Sequence, residues 1–152
     1  MILFLTGDEM ICDWIEGAAD SISNKINRIT TLQMVRIIET VRRQFTNHES
    51  IYTCLWEEFV AEVSIQCLDG WKLACEFPEQ HPIIFFRDGN GYKGYSVSST
   101  ESLGRILCET PGVEFYLTNE TVDFVLCFNH HDYLIGVGKC KNWLYQNPGF
   151  SQ

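Results

Sequence analysis

The chain has 152 residues, 45% of them hydrophobic and 20% charged, which is ample for one core and far from a disordered composition. A net charge of −9 and a pI near 4.8 disfavour direct binding to nucleic acid or to an anionic membrane surface, since both need a basic face. The same charge suits a basic protein partner.

The first residues, MILFLTGDEM, contain an apolar run of only Ile2 to Leu5 with no base before it, unlike a signal peptide. No run reaches the length of a membrane helix, so a cytoplasmic protein is expected. The seven cysteines are Cys12, Cys54, Cys67, Cys75, Cys108, Cys127 and Cys140. None form a C-x-x-C pair, and most have apolar neighbours. Free, mostly buried thiols are expected, without a disulfide framework or zinc site.

Apolar residues Ile11, Trp14, Ile15, Ala18, Ala19, Ile22 and Ile26 recur at helical spacing. They predict an amphipathic helix over about residues 8–26, with Asp8, Glu9 and Asp13 in its first turns. Thr30 or Thr31 caps a second helix with the stripe Leu32, Val35, Ile38, Val41 and Phe45. Between Glu49 and Phe77 two readings stay open. Trp56, Phe59 and Val63 allow a helix, VSIQCL allows a short strand, and Asp69 to Phe77 allows a helical turn or two.

From His81 onward the pattern changes. PIIFFRD and GYKGYSVSS flank the turn signal GNG, which predicts a hairpin with strands near 83–87 and 92–97. Ser98 and Glu101 spell a capping box that opens a helix, and Pro111-Gly112 ends it. VEFYLTN, TVDFVLCFN and DYLIGVGK then read as three strands, the first two joined by a turn at Asn119-Glu120. A last helix spans about residues 139–146. Gly136 and Gly138 mark a bulge or the close approach of a neighbouring strand. The expected fold is a single α+β domain over 1–152. Its N-terminal helices pack on a mostly antiparallel sheet of about four to five strands, with an inserted helix and a C-terminal helix.

The stretch CFNHHDYLIG holds the most chemistry. His130 or His131 with Asp132 is a possible proton-transfer pair. Adjacent residues on a strand point to opposite faces, so both rings ligate one metal only at a turn, with a third ligand from His48, His81 or Asp123. Cys127 as a nucleophile conflicts with its apolar setting. No nucleophile elbow, phosphate loop or dinucleotide fingerprint is present. Asn129 and Asp132 are favoured turn residues, so N-H-H-D reads first as a four-residue hairpin loop able to display His130, His131 and Asp132.

Charge is uneven. Residues 21–48 carry +4, while residues 49–80 carry −6. The acids Glu49, Glu57, Glu58, Glu62, Asp69, Glu76 and Glu79 are either a solvated helix face or a docking surface for a basic partner.

The run FYLTN, then DFVLCFNHHDYLIGVGK, then a terminal WL resembles a group of small uncharacterised bacterial proteins over about residues 81–145. In size, acidity and arrangement the chain is similar to immunity proteins of polymorphic and secreted toxins. The resemblance implies a cytoplasmic antitoxin rather than an enzyme, with no cofactor and no bound metal. It would occlude a cognate toxin's basic active cleft. The expected contact residues are Trp56, Glu57, Glu58, Glu62, Asp69, His130, His131 and Asp132, with Tyr52 as a further aromatic anchor. The alternative is a small metal- or His-dependent hydrolase built on the NHHD segment. Oligomeric state is left open.

Overall fold

The computed structural model describes residues 9–47 and 54–147. Among them, seven strands form one sheet with every neighbouring pair antiparallel, in the order β1-β4-β3-β5-β6-β7-β2. The strands are β1 (Ile26–Arg28), β2 (Val63–Gln66), β3 (Ile83–Asp88), β4 (Gly91–Val97), β5 (Phe115–Thr118), β6 (Phe124–Phe128) and β7 (Tyr133–Gly138). The helices are α1 (Met10–Ser21), α2 (Thr31–Phe45), α3 (Gly70–Ala74), α4 (Thr100–Cys108) and α5 (Lys141–Tyr145), with a 3-10 turn at Leu55–Glu58.

The α+β class is as expected, but the sheet has seven strands rather than four or five. The helices also divide between its two faces. α1, α3, α4 and α5 cover one face with residues such as Ile15, Ala74, Leu103 and Leu144. α2 and the 3-10 turn cover the other with Met34, Ile38, Val41 and Leu55. The central strands alternate between these cores: Phe124, Leu126 and Phe128 face the first, while Val125 and Cys127 face the second. Burial on both faces is why IIFF and FVLCF read as continuous apolar runs instead of alternating ones.

Helix boundaries follow local chemistry. Ser23 adopts φ +57°, and Asn24 N–H and Ser23 N–H donate to the Ala19 and Asp20 carbonyls. This Schellman closure ends α1 at Ser21, earlier than the predicted residue 26. Ile26 still meets the core formed by α1, but from edge strand β1. Glu9 gives α1 no side-chain cap. Asp88, buried at the end of β3, supplies a carboxylate that accepts from Cys12 N–H at 2.8 Å. A negative group there also complements the helix dipole. Thr30 caps α2 in a reciprocal capping box with Gln33. The cap of α4 is Ser99, accepting from Ser102 N–H, one residue later than predicted from Ser98. Glu101 pairs instead with Arg105.

The seven cysteines are free thiols. Burial pushes Cys12 up to about 11 and Cys75 and Cys140 up to about 12, from an ordinary 9.0. It also pushes the Tyr95 and Tyr116 phenols upward. Above pH 9 the unfolded chain therefore sheds protons that the folded chain keeps. Their contribution to stability is complete below the ordinary values and declines as pH rises toward 12. Denaturant melts at about pH 8 and about pH 10.5 should give a lower midpoint at the higher pH. An unchanged midpoint would contradict this burial. No helix of the described residues is long and apolar enough to cross a membrane.

Candidate functional site

The β6–β7 hairpin is closed by the four residues Asn129 to Asp132, as expected. Asn129 N–H donates to the Tyr133 carbonyl at 3.0 Å, and Asp132 N–H donates to the Asn129 carbonyl at 3.1 Å. Asp132 takes the left-handed region at φ +63°. This is a type I turn followed by a left-handed residue, a common way to close a short hairpin. Asn129 is 2% exposed, and its side-chain Oδ1 accepts from both His131 N–H and Tyr133 N–H. Replacing it (Asn129→Ala) removes both bonds and strands two amides. The expected cost is about 1–2 kcal/mol, with amide exchange at His131 and Tyr133 accelerating before that of β5. Uniform acceleration across the sheet would count against this role.

Three elements bring a polar cluster together at this tip. Leu55 and Phe59 are buried under the sheet and seat the 3-10 turn, which presents Trp56 at its outer side. Trp56 backbone N–H donates to the Tyr116 hydroxyl at 3.2 Å, and its indole Nε1–H donates to Glu114 Oε2 at 3.3 Å. The other Glu114 oxygen accepts from His130 N–H at 2.9 Å and lies 2.7 Å from His130 Nδ1. A carboxylate only accepts, so the ring proton sits on Nδ1. Glu114 thus clamps the turn and the hairpin tip with one side chain. Burial holds the Tyr116 phenol neutral, consistent with its role as acceptor. The His130 and His131 ring centroids are 4.0 Å apart, and each is 6.1 Å from Trp56, edge to face.

Beside this cluster runs an open groove of about 450 Å3. It is lined by Trp56, Glu57, Glu62, Ser64, His131 and Tyr133. Of the expected contact residues, Trp56, Glu57, Glu62, His131 and, across the tip, His130 meet here. Asp132 sits in the loop itself, with its carbonyl accepting from Cys67 N–H.

The remaining acids do not join them. Glu58 turns inward: its side chain is 5% exposed and pairs with Arg42 at 3.4 Å. Asp69 precedes α3, which packs on the opposite face of the sheet. Glu79 pairs with Lys139 at 3.2 Å. The acidic middle segment is therefore not one surface, because β2 carries the chain past the sheet edge and distributes these residues between both layers. Glu49, Tyr52 and His48 lie outside the described residues.

The proposed third ligands for a metal are also dispersed. Asp123 immediately precedes β6, at the far end from the tip, and bonds Lys139 and Asn119. Among the described residues, no group of three His, Cys, Asp or Glu is arranged to hold a metal ion. Cys127 is fully buried, and burial pushes its thiol well up, the reverse of an activated nucleophile. His130 with Glu114 resembles the orienting half of a catalytic relay. Among the described residues no hydroxyl or thiol completes it by bonding His130.

Sequence reasoning overlooked Glu114 and Tyr116. Alternation in VEFYLT puts Glu114, just before β5, on the same side as Tyr116 within it, which is the only local signal. Their partner Trp56 lies 58 and 60 residues away. A second groove, of about 530 Å3, lies between α2 and β4 and is lined by Arg28, Met34, Arg42, Tyr92 and Lys93. Its three cations are paired with Glu9, Glu16 and Glu58. No protein-family model, curated protein or solved structure matches the chain.

Proposed function

We propose that this chain is an immunity protein that binds a cognate bacterial toxin and occludes its active site. In this reading it acts in the cytoplasm of a cell that carries a polymorphic or secreted toxin. One observation carries the reading: Trp56 is held rigidly by Glu114 and Tyr116 at the edge of a groove whose walls include Glu57 and Glu62. A pre-positioned Trp loses little entropy on binding and is a favoured interface anchor. Flanking carboxylates complement a basic cleft, such as one that handles polyanions, and speed the encounter. The contact surface is smaller than the acidic segment as a whole and centres on Trp56, Glu57, Glu62, His130 and His131.

The test pairs this chain with the toxin encoded beside its gene. Cells producing the toxin should survive only when the chain is co-expressed, and the two should co-purify. Absence of both protection and a complex would end the reading. The Glu114–His130 pair favours a second reading, a His-dependent hydrolase. In that case His130→Ala and His131→Ala should abolish ester or phosphoester hydrolysis by the purified protein, and a flat activity screen of the unaltered protein would dismiss it.

A further inference from the structure

We infer that β2 is an open docking edge for an extended, basic segment of the partner, which adds an eighth strand to the sheet and lays its cationic side chains in the Trp56 groove. The inference rests on the binding reading above and specifies its mode. β2 ends the sheet on one side. Cys67 N–H donates to the Asp132 carbonyl of the hairpin tip at 2.8 Å, which sets the ladder phase. Val63 and Ile65 therefore bond β7, and the backbone N–H and C=O groups of Ser64 and Gln66 point outward. No bond from the described residues occupies those outward groups. Such a row is a template for strand addition.

The two sheet edges differ in how they are protected. β1 is three residues long, with Lys25 before it and Arg28 at its end. Residues 60–66, VAEVSIQ, contain no Lys, Arg or Pro. Instead, large apolar side chains remain exposed on either side of β2: Val60 at 39% and Leu68 at 78%, with Tyr133 at 37% on the neighbouring strand. Edge cations and prolines block pairing, and β2 carries neither.

Charge selects the occupant. Ser64 lies opposite Ile135 and Gln66 opposite Tyr133, on the face that bears the groove. Alternate residues of an added strand would fall beside them, within reach of Glu57 and Glu62. Lys or Arg at those positions meets two carboxylates, and the residues between them fall on the face where Val63 and Ile65 are buried. A second copy of this chain fits poorly. Pairing β2 with itself would bring together two chains that each carry a net charge of −9.

The probe is a capped synthetic peptide of about ten residues alternating Lys with Val or Thr, with a Glu-for-Lys version and a proline-interrupted version as comparisons. The lysine peptide should bind with salt-sensitive affinity and slow amide exchange at Ser64 and Gln66 by about tenfold or more, while the other two should not bind. Ser64→Pro removes an outward N–H that β7 does not use, a position where an edge strand tolerates proline. It should weaken binding about tenfold with β6–β7 exchange unchanged. Glu57→Lys with Glu62→Lys should do the same, and serves if the proline variant fails to fold. Four results would each overturn the edge: no binding, binding without protection of Ser64 and Gln66, equal binding of the acidic peptide, or protection that grows with protein concentration in the absence of peptide. If a folded Ser64→Pro protein still protects cells from the toxin, strand addition falls while immunity stands. If the unaltered chain fails to protect but binds the peptide as described, immunity falls and the edge stands as a site for basic strands.

Discussion

Gly138→Ala should destabilise the protein by about 3 kcal/mol or more, on the order of 10 °C in Tm for a chain of this length. Two terms add. Gly138 has φ +77°, where an L-residue pays about 1–2 kcal/mol. A Cβ there would also lie 2.3 Å from the Asp123 carbonyl oxygen and 2.8 Å from Phe124 Cα, both backbone atoms. That carbonyl cannot withdraw cheaply, because Lys139 N–H donates to it at 3.0 Å and it directly precedes the first β6–β7 pair, Phe124 with Gly138. Overpacking of this kind costs roughly 1–3 kcal/mol. Gly136→Ala is the informative comparison. Its Cβ would meet Leu144 Cδ1 at 2.6 Å and Cys140 Sγ at 2.9 Å, which are side-chain ends able to shift, and its φ is not positive. Gly112→Ala meets no heavy atom within 4 Å and should be nearly neutral. Thermal melts should rank the losses Gly138, then Gly136, then Gly112. Equal losses at all three would remove the special role of the β7 terminus.

Trp56→Ala should weaken toxin binding by about 2–4 kcal/mol, roughly 30-fold to 1000-fold. The side chain offers a large apolar face, already oriented, and truncation removes both that face and the reason for its orientation. It also leaves Glu114 Oε2 without its indole donor. Trp56→Phe separates the two effects. It keeps the apolar mass and loses only the bond to Glu114, so binding should fall by about tenfold or less. Titration calorimetry against the toxin, alongside a thermal melt, reads both. If Trp56→Ala binds as tightly as the unaltered chain, the groove is not the centre of the interface. Glu58→Ala provides the contrast. Its carboxylate faces Arg42 inside the protein, so any loss should appear in stability and not in association rate.

How much of the site was legible varies residue by residue, for physical reasons. Asn129 and Asp132 carry turn chemistry within four residues, so the hairpin tip could be read directly. Trp56, His130 and His131 were each readable as candidates, but nothing local joins residue 56 to residue 130. Glu114 was invisible as a hub because its role depends on bonds to two distant segments. The acidic segment misled in the opposite sense. Its residues are neighbours in sequence, yet β2 and α3 separate them in space.

The fold divides along the same line. Periodicity, turn residues and caps determined the α+β class, the 83–97 hairpin, the β5–β6–β7 meander and the start of α2, because each depends on interactions within a few residues. Tertiary structure decided that α1 and α2 cover opposite faces of one sheet. It also decided that Ile26 to Arg28 pairs with β4, and that Asp88 caps a helix from 76 residues away. These outcomes are set by which apolar faces find each other and by where a buried carboxylate meets an unpaired amide. Neither leaves a periodic trace in the chain.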